Sequence, residues 1–432
     1  MGRLMLIVCI IFMYLQTMKS QDVFTLDEAI IIALRQNFGI QIAKMETDVA
    51  EMQIYPANAG LGPIIDIVGN MGLTGNNVDL TFLDGNSLNR YGYVIAPNLG
   101  INVAIPLYDG QRGKTILERL KKEKEFADLE SQLAIQNVLI DVISAYYDVI
   151  LQQEIEQYLL TIIAYYEDRL RITEERWKLG RGSKLDYLQS RTDLNTQLSE
   201  LALAQNNMKN NKIRLNYLLN RDLYTEFKTE NIISLRKDYN LAELLDDARY
   251  NNRDLRIVDK MRTINEIRDK EINAGSRPQI FFNGSGGFNF TQSNTGFLLR
   301  NRNTALTGSI SAVWNVFDGQ NRKKQIAINQ LNTRIIENQK ENLMAQVISE
   351  LVAAYNRFNS DKEILRLEQE NKELAEENLN ISLEKFKLGG STILELNEDQ
   401  QRYDNALNRL VTAQYNIKIT ELEMLRLSGG IY

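Results

Sequence analysis

No histidine occurs anywhere in this chain of 432 residues. Its absence excludes Ser-His-Asp and Cys-His catalysis, imidazole general bases and His-ligated zinc. Cysteine is almost as scarce. The only one is Cys9, inside the apolar stretch LMLIVCIIFMYL at residues 4–15. That stretch follows Arg3, precedes the polar QTMKS, and falls short of the ~20 residues a bilayer-spanning helix needs. It reads as a secretory signal peptide (1–20, cleaved near Ser20 and Gln21), with an N-terminal anchor helix as the alternative. Val8 is not the small residue that precedes a lipid-modified cysteine. The mature protein is therefore expected to be exported and independent of disulfides. No other uninterrupted apolar run approaches a span, so a mature protein in a membrane would not cross it as hydrophobic helices. Charge is balanced too, with 50 basic and 56 acidic residues and no basic block of the kind nucleic-acid binders carry.

What is present is a duplication. Asp109-Gly110-Gln111 recurs as Asp318-Gly319-Gln320, Ala145-Tyr146 as Ala354-Tyr355, and Lys178-Leu179-Gly180 as Lys387-Leu388-Gly389. The offset of 209 between these pairs then carries Leu198, Leu201, Ala204 and Gln205 onto Leu407, Leu410, Ala413 and Gln414. Upstream it becomes 215, where Leu26, Ala33, Asn37 and Pro63 meet Leu241, Ala248, Asn252 and Pro278. One half therefore has a longer loop between Pro63 and Asp109. The repeat is a whole module, too long for a solenoid unit. Repeat 1 is placed at 21–220, a linker at 221–240 and repeat 2 at 241–432.

Each half opens on an amphipathic helix. In TLDEAIIIALRQN, Leu26, Ala29, Ala33 and Leu34 share a face and the asparagine is a plausible stop. Pro63 and Pro278 are expected to end the helical pattern. The period then changes from 3.6 to 2. Ile280, Phe282, Phe288 and Phe290 alternate with Asn283, Ser285 and Asn289; Leu99, Ile101, Val103, Ile105 and Leu107 alternate likewise, as do Ile310, Ala312, Trp314 and Val316. PIIDIVGNMGL is the weakest of the four segments. With turns at TGNN and QSNTG, each half offers two strands of ~10 residues, at about 63–108 and 278–317, the length of a membrane β-strand. A water-soluble hairpin with one buried face is the alternative.

Long helices follow. Between Gly110 and Gly180, and between Gly319 and Gly389, there is no proline and no glycine but Gly113. Seventy residues at 1.5 Å each make a rod of ~105 Å. WKLGRGS and FKLGGST then punctuate the chain. Gly180 and Gly389 can take the left-handed conformation that stops a helix. Ser183 with Asp186, and Thr392 with Glu395, match the capping-box pattern for the next one. The chain should return antiparallel through 184–218 and 393–427, making helical hairpins at about 110–218 and 319–427 with tips at 180–183 and 389–392. A sheet in lipid must close on itself, and four strands are fewer than the eight of the smallest barrels. Several copies would have to pool their strands, and the helices would continue the barrel as a conduit.

These features together resemble the TolC family of outer membrane efflux proteins: the signal peptide, the L-x-E-A-x3-A-L-x2-N opening, the strand exits LYDGQRGK and VFDGQNRK, and the aromatic-x-x-Gly tips. The resemblance covers essentially the mature chain. It implies a mixed α+β membrane protein: long antiparallel helical hairpins plus four strands per chain, in a homotrimer with a twelve-stranded β-barrel in outer membrane lipid. It further implies a helical tunnel across the periplasm, with a periplasmic adaptor and an inner-membrane pump of RND or ABC type as partners. The chain would be the exit duct of a tripartite efflux or type I secretion system, without enzymatic activity, cofactor or nucleic acid. Acids of the second repeat ring the pore at the family's periplasmic end; the matching positions are Glu395 and Glu398, and capping is an alternative role for Glu395. Asp186 matches a position that contacts a tip tyrosine in the family, but here that tyrosine is Phe386, and an expected arginine is Ser391. The polar lock is therefore expected to be absent or rebuilt. The tip leucines Leu179, Leu185, Leu388 and Leu394 match the family's contact with an adaptor hairpin, with simple packing as the alternative.

Other signals are weaker. Gly113-Lys114-Thr115 would need a glycine where Tyr108 stands to end a phosphate-binding loop. Gly284-Ser285-Gly286 has no histidine to make it a nucleophile elbow. Trp177, Phe386, Tyr146 and Tyr355 read as hairpin packing. A periplasmic adaptor with one long hairpin is the competing reading, and two full repeats with four strands argue against it.

Overall fold

The computed structural model describes residues 23–230, 238–295 and 298–431; the expected signal peptide with Cys9, and part of the expected linker, lie outside them. Two compact units are formed, each from segments of both repeats. One takes the described parts of Met1–Met45, Leu129–Arg256 and Glu341–Tyr432; the other takes Glu46–Asp128 and Ile257–Lys340.

Each repeat opens with two helices broken at an asparagine: α1 (Leu26–Gln36) and α2 (Phe38–Met52) in the first, α5 (Leu241–Asn251) and α6 (Arg253–Ala274) in the second. Thr25 and Glu28 close a reciprocal capping box on α1. At the break, Asn37 leaves helical geometry (φ −64°, ψ 126°), and its Oδ1 accepts the Ile40 amide at 3.2 Å to start the next helix. Its Nδ2 donates to the Leu218 carbonyl at 2.7 Å. Asn252 repeats every part of this, accepting from Leu255 at 3.1 Å and donating to the Leu427 carbonyl at 3.0 Å. The second helices end before the prolines that were expected to end them. α2 stops at Met52, because Pro56 already denies the helix an amide and residues 53–62 wind into turns ahead of Pro63. α6 stops at Ala274, ahead of Pro278.

The long elements are α3 (Arg112–Lys178), returning as α4 (Lys184–Leu218), and α7 (Asn321–Leu388), returning as α8 (Ile393–Ser428). Against them each repeat builds the same small core. Ala29 and Ala33 of α1 pack on Val142, Ala145 and Val149 of α3 and on Leu215 of α4. Leu244 and Ala248 of α5 pack on Leu351, Ala354 and Phe358 of α7 and on Met424 of α8. Alanine at these sites lets the helices approach closely, and the alanines and their long-helix partners are buried. One helix among the described residues, α3, is long and apolar enough by composition to cross a membrane: an 18-residue window reaches a mean hydropathy of 1.4, and 44% of it is buried within the protein.

The other unit carries an antiparallel sheet in the order β1-β2-β3-β4, with β1 (Ile64–Thr81), β2 (Ser87–Tyr108), β3 (Gln279–Ser293) and β4 (Arg300–Val313). Pairing of β2 with β3 joins the hairpins of the two repeats. The strands are longer than the ~10 residues a membrane crossing requires. TGNN is not a turn: Thr74 to Asn77 pair with Val94 to Tyr91 inside the ladder. The chain reverses instead at residues 82–86, where Asp84 accepts the Asn86 amide. A ladder without a covering core does not penalise Gly and Asn as an ordinary sheet interior would. At Pro106 the β2–β3 register shifts, so Leu107 leaves the alternation, and β4 ends before Trp314 and Val316.

Strand register sorts the sheet into two faces. One carries Ile65, Ile67, Met71, Leu99, Ile101, Phe282, Phe288, Leu306 and Ile310. The opposite face carries Asp66, Asn102, Ser285 and Thr307 in one row, and Asn70, Asn98, Asn289 and Asn303 in another. Nothing in the described chain covers the apolar face: Ile67 is 74% exposed and Leu306 92%.

Candidate functional site at the hairpin tips

Helix α3 ends through Gly180 at φ +71°, and α7 through Gly389 at φ +81°. In each case the following amide reaches back across the last turn, Arg181 to the Arg176 carbonyl at 2.8 Å and Gly390 to the Lys385 carbonyl at 2.9 Å. The return helices begin differently. Thr392 and Glu395 form the reciprocal box, with the Glu395 carboxylate accepting the Thr392 amide at 3.1 Å. Ser183 only accepts from the Leu185 amide, at 3.0 Å, so the box expected with Asp186 is not made. Aspartate is one methylene shorter than glutamate and does not reach back to the cap.

Leu179 and Leu185 of the first tip, and Leu388 and Leu394 of the second, are all exposed. Trp177 stacks on Tyr187 with ring centroids 5.1 Å apart, under Lys184. Glu398 lies a turn beyond Glu395 and is paired with Arg402 at 2.5 Å, both side chains well exposed. Phe386 is buried, with the Arg176 guanidinium 4.5 Å from its ring centre and donating to its carbonyl. Arg176 thus ties the end of the first hairpin to the end of the second. Sequence reasoning passed over it, since a basic residue in a last helical turn already has an ordinary explanation. Ser391, at the position where the resemblance expects arginine, has a buried Oγ without a partner.

Further from the tips the two hairpins share a core of Ile162, Tyr166 and Leu194 with Leu379, Leu396 and Tyr403. Arg169 lies within it at 0% exposure. One guanidinium nitrogen donates to Asn397 at 2.8 Å and Gln400 at 2.7 Å, and another to Asp193. The cation sits 4.7 Å from the centre of the Tyr166 ring. The signal was available: Ile162, Tyr166, Arg169 and Thr173 follow helical spacing, and an arginine inside such a stripe demands partners. Asp404 is also near this core, and burial, then Glu200, raises its carboxyl above the usual range. No group of three or more Cys, Asp or Glu among the described residues is placed to hold a metal.

Among the described residues, neither the paired hairpin tips nor the uncovered two-faced sheet carries a catalytic constellation. Residues 29–221 and 244–430 match the family model described as outer membrane efflux protein. The chain belongs to that family. Solved structures of the same fold include the outer membrane protein VceC of Vibrio cholerae, with 15% identity and a TM-score of 0.75 over 94% of this chain and 96% of that one. The Campylobacter jejuni CmeC outer membrane channel matches at 15% identity and a TM-score of 0.76, over 94% and 86%. The open state of the Neisseria gonorrhoeae MtrE outer membrane channel matches at 15% and 0.72, over 94% and 88%. The comparison with curated protein sequences found no match. As an outer membrane efflux protein, the chain has a mostly helical fold with one four-stranded antiparallel sheet and a tandem duplication that the two matched segments follow.

Proposed function

We propose that three copies of this chain form an outer membrane channel-tunnel, the exit duct of a tripartite efflux pump or type I secretion system. The observation that carries the reading is the sheet. Among the described residues its apolar face has no cover, its opposite face is rich in Asn, Ser and Thr, and β1 and β4 are unpaired along their outer edges. Lipid on the first face, water on the second and a neighbouring copy at each edge meet all three conditions. Three copies supply twelve strands. Exposed apolar residues on the helices joined to those edge strands support the same assembly: Phe38, Ile42, Met45, Val49 and Met52 on α2, and Ile328, Leu331 and Ile335 on α7.

Residues 1–20 then serve as the export signal, the repeats 21–220 and 241–432 flank the linker, and the helical part lies in the periplasm. The conduit is passive and opens at its periplasmic tips when a periplasmic adaptor and an inner-membrane pump engage them. Leu179, Leu185, Leu388 and Leu394 present the adaptor contact, next to Gly180, Ser183, Gly389 and Thr392, which set the turns. Glu395 and Glu398 contribute six carboxylates around one axis, favouring cations. Asp186 and Phe386 occupy the gate without a tyrosine hydroxyl between them, and Arg176 holds Phe386 instead. The test is electrical. Purified protein added to planar lipid bilayers gives discrete conductance steps; correctly folded protein that never conducts contradicts the channel.

A further inference from the structure

Four arginines converge on a cavity of about 420 Å³ where the long helices meet the sheet. Arg112 and Arg119 belong to α3, which begins just after β2; Arg268 belongs to α6, which leads into β3; Arg322 is in the first turn of α7, which follows β4. Two acids share the space, Glu271 and Asp318. Each already accepts one hydrogen bond. Glu271 accepts from Arg119 at 3.1 Å, while Arg112 stands 3.7 Å away, outside hydrogen-bonding distance. Asp318 caps α7 through the Arg322 amide at 3.0 Å, and the Arg322 guanidinium is 3.8 Å from it. Arg268 has no ion pair among the described residues. Only Arg119, which also bonds Glu123 at 2.6 Å, is well satisfied. Three guanidiniums therefore hold unused donors around one cavity, in a chain whose formal net charge is −6.

We propose that this cavity binds a phosphate group. Guanidinium forks match phosphate oxygens in geometry and charge, and several from different helices can hold one anion from different sides. The location favours a lipid headgroup as the source, an argument that rests on reading the sheet as a membrane span. The polar layer outside the hydrocarbon is ~5–8 Å thick on each side, and the cavity begins within a turn or two of the strand ends. Exposed Trp314, just past β4 and donating to the Ser276 carbonyl at 3.0 Å, is the side-chain type that marks such a boundary. Basic pockets at that level bind anionic headgroups.

Isothermal titration of the detergent-purified protein with a short-chain phosphatidic acid, and separately with inorganic phosphate, tests the site. The expected result is saturable lipid binding that weakens by at least about tenfold in Arg268→Gln, chosen because that side chain has no internal ion pair to lose. Arg268→Lys should keep most of the affinity, and Arg322→Gln should weaken binding independently. Binding of inorganic phosphate alone, with the same loss in both glutamine variants, also supports the phosphate site and moves its source to solution. Equal binding by wild type and both variants, or binding of neither probe, overturns it. Conductance recorded on the same preparations separates the two readings. Normal steps without anion binding sink only this inference, whereas absent steps sink the channel.

Discussion

Arg169 is a fully buried cation. Its charge is wholly withdrawn from water and compensated by Asp193, Asn397, Gln400 and the Tyr166 ring. Replacing it with methionine leaves Asp193 facing an apolar core, which should cost roughly 3–5 kcal/mol of stability. Arg169→Met/Asp193→Asn should recover part of that loss in thermal unfolding; two additive losses would show that the pair is not coupled. Asp404 presents the opposite situation, a carboxylate penalised by burial and by Glu200. Its folded form holds a proton more tightly than the unfolded chain does. Stability therefore falls as pH rises from the ordinary carboxylate range through the raised folded value, and is flat above it. Asp404→Asn should melt higher than wild type at neutral pH, with the gap closing in acid; a gap that persists in acid argues against titration as the cause. At the tips, Glu395→Gln keeps a residue able to complete the capping box, and Glu398→Gln gives up only an exposed pair. Cation selectivity in planar bilayers should drop in the double variant with little change in melting. Selectivity identical to wild type would remove these carboxylates from the pore.

Among elements, helices were more legible than the sheet. Long stretches without glycine or proline announce α3 and α7, and a glycine between two helical patterns announces each hairpin, because these signals act within a few residues. Ala29 and Ala33 on one stripe, with Asn37 as the stop, were likewise readable. The double use of Asn37 and Asn252, closing one helix while opening the next and bonding a distant carbonyl, was not, since its partners Leu218 and Leu427 are remote in sequence. The hairpin turn was misplaced at TGNN, as glycine and asparagine normally mark turns and this ladder admits them mid-strand. Arg176 was missed because its value lies in what the other hairpin brings to it; Arg169 was legible as a charge within an apolar stripe, but its partners Asp193, Asn397 and Gln400, remote in sequence, were not. For the strands, the two faces predict opposite tolerance. Leu306→Arg on the apolar face should cost about 2–4 kcal/mol and reduce the folded outer membrane yield, whereas Thr307→Arg on the polar face should be accepted. Equal yields of the two proteins would refute the assignment of faces.

At the scale of the whole molecule, one chain leaves two requirements unmet. The outer edges of β1 and β4 have unpaired backbone groups, which lipid does not tolerate. Among the described residues nothing covers the apolar face of the sheet, and apolar side chains of α2 and α7 are exposed. In the proposed trimer, lipid covers the apolar face and identical copies complete the edges, β4 of one following onto β1 of the next, and a duplicated chain would make that ring more even than an unduplicated one. The direct measurement is the mass of the detergent-purified protein, with detergent and lipid subtracted, by native mass spectrometry. Three chains per particle is the predicted result. A stable, folded single chain that partitions into the membrane would contradict the account, because its four-stranded sheet would then lie in lipid with both edges open.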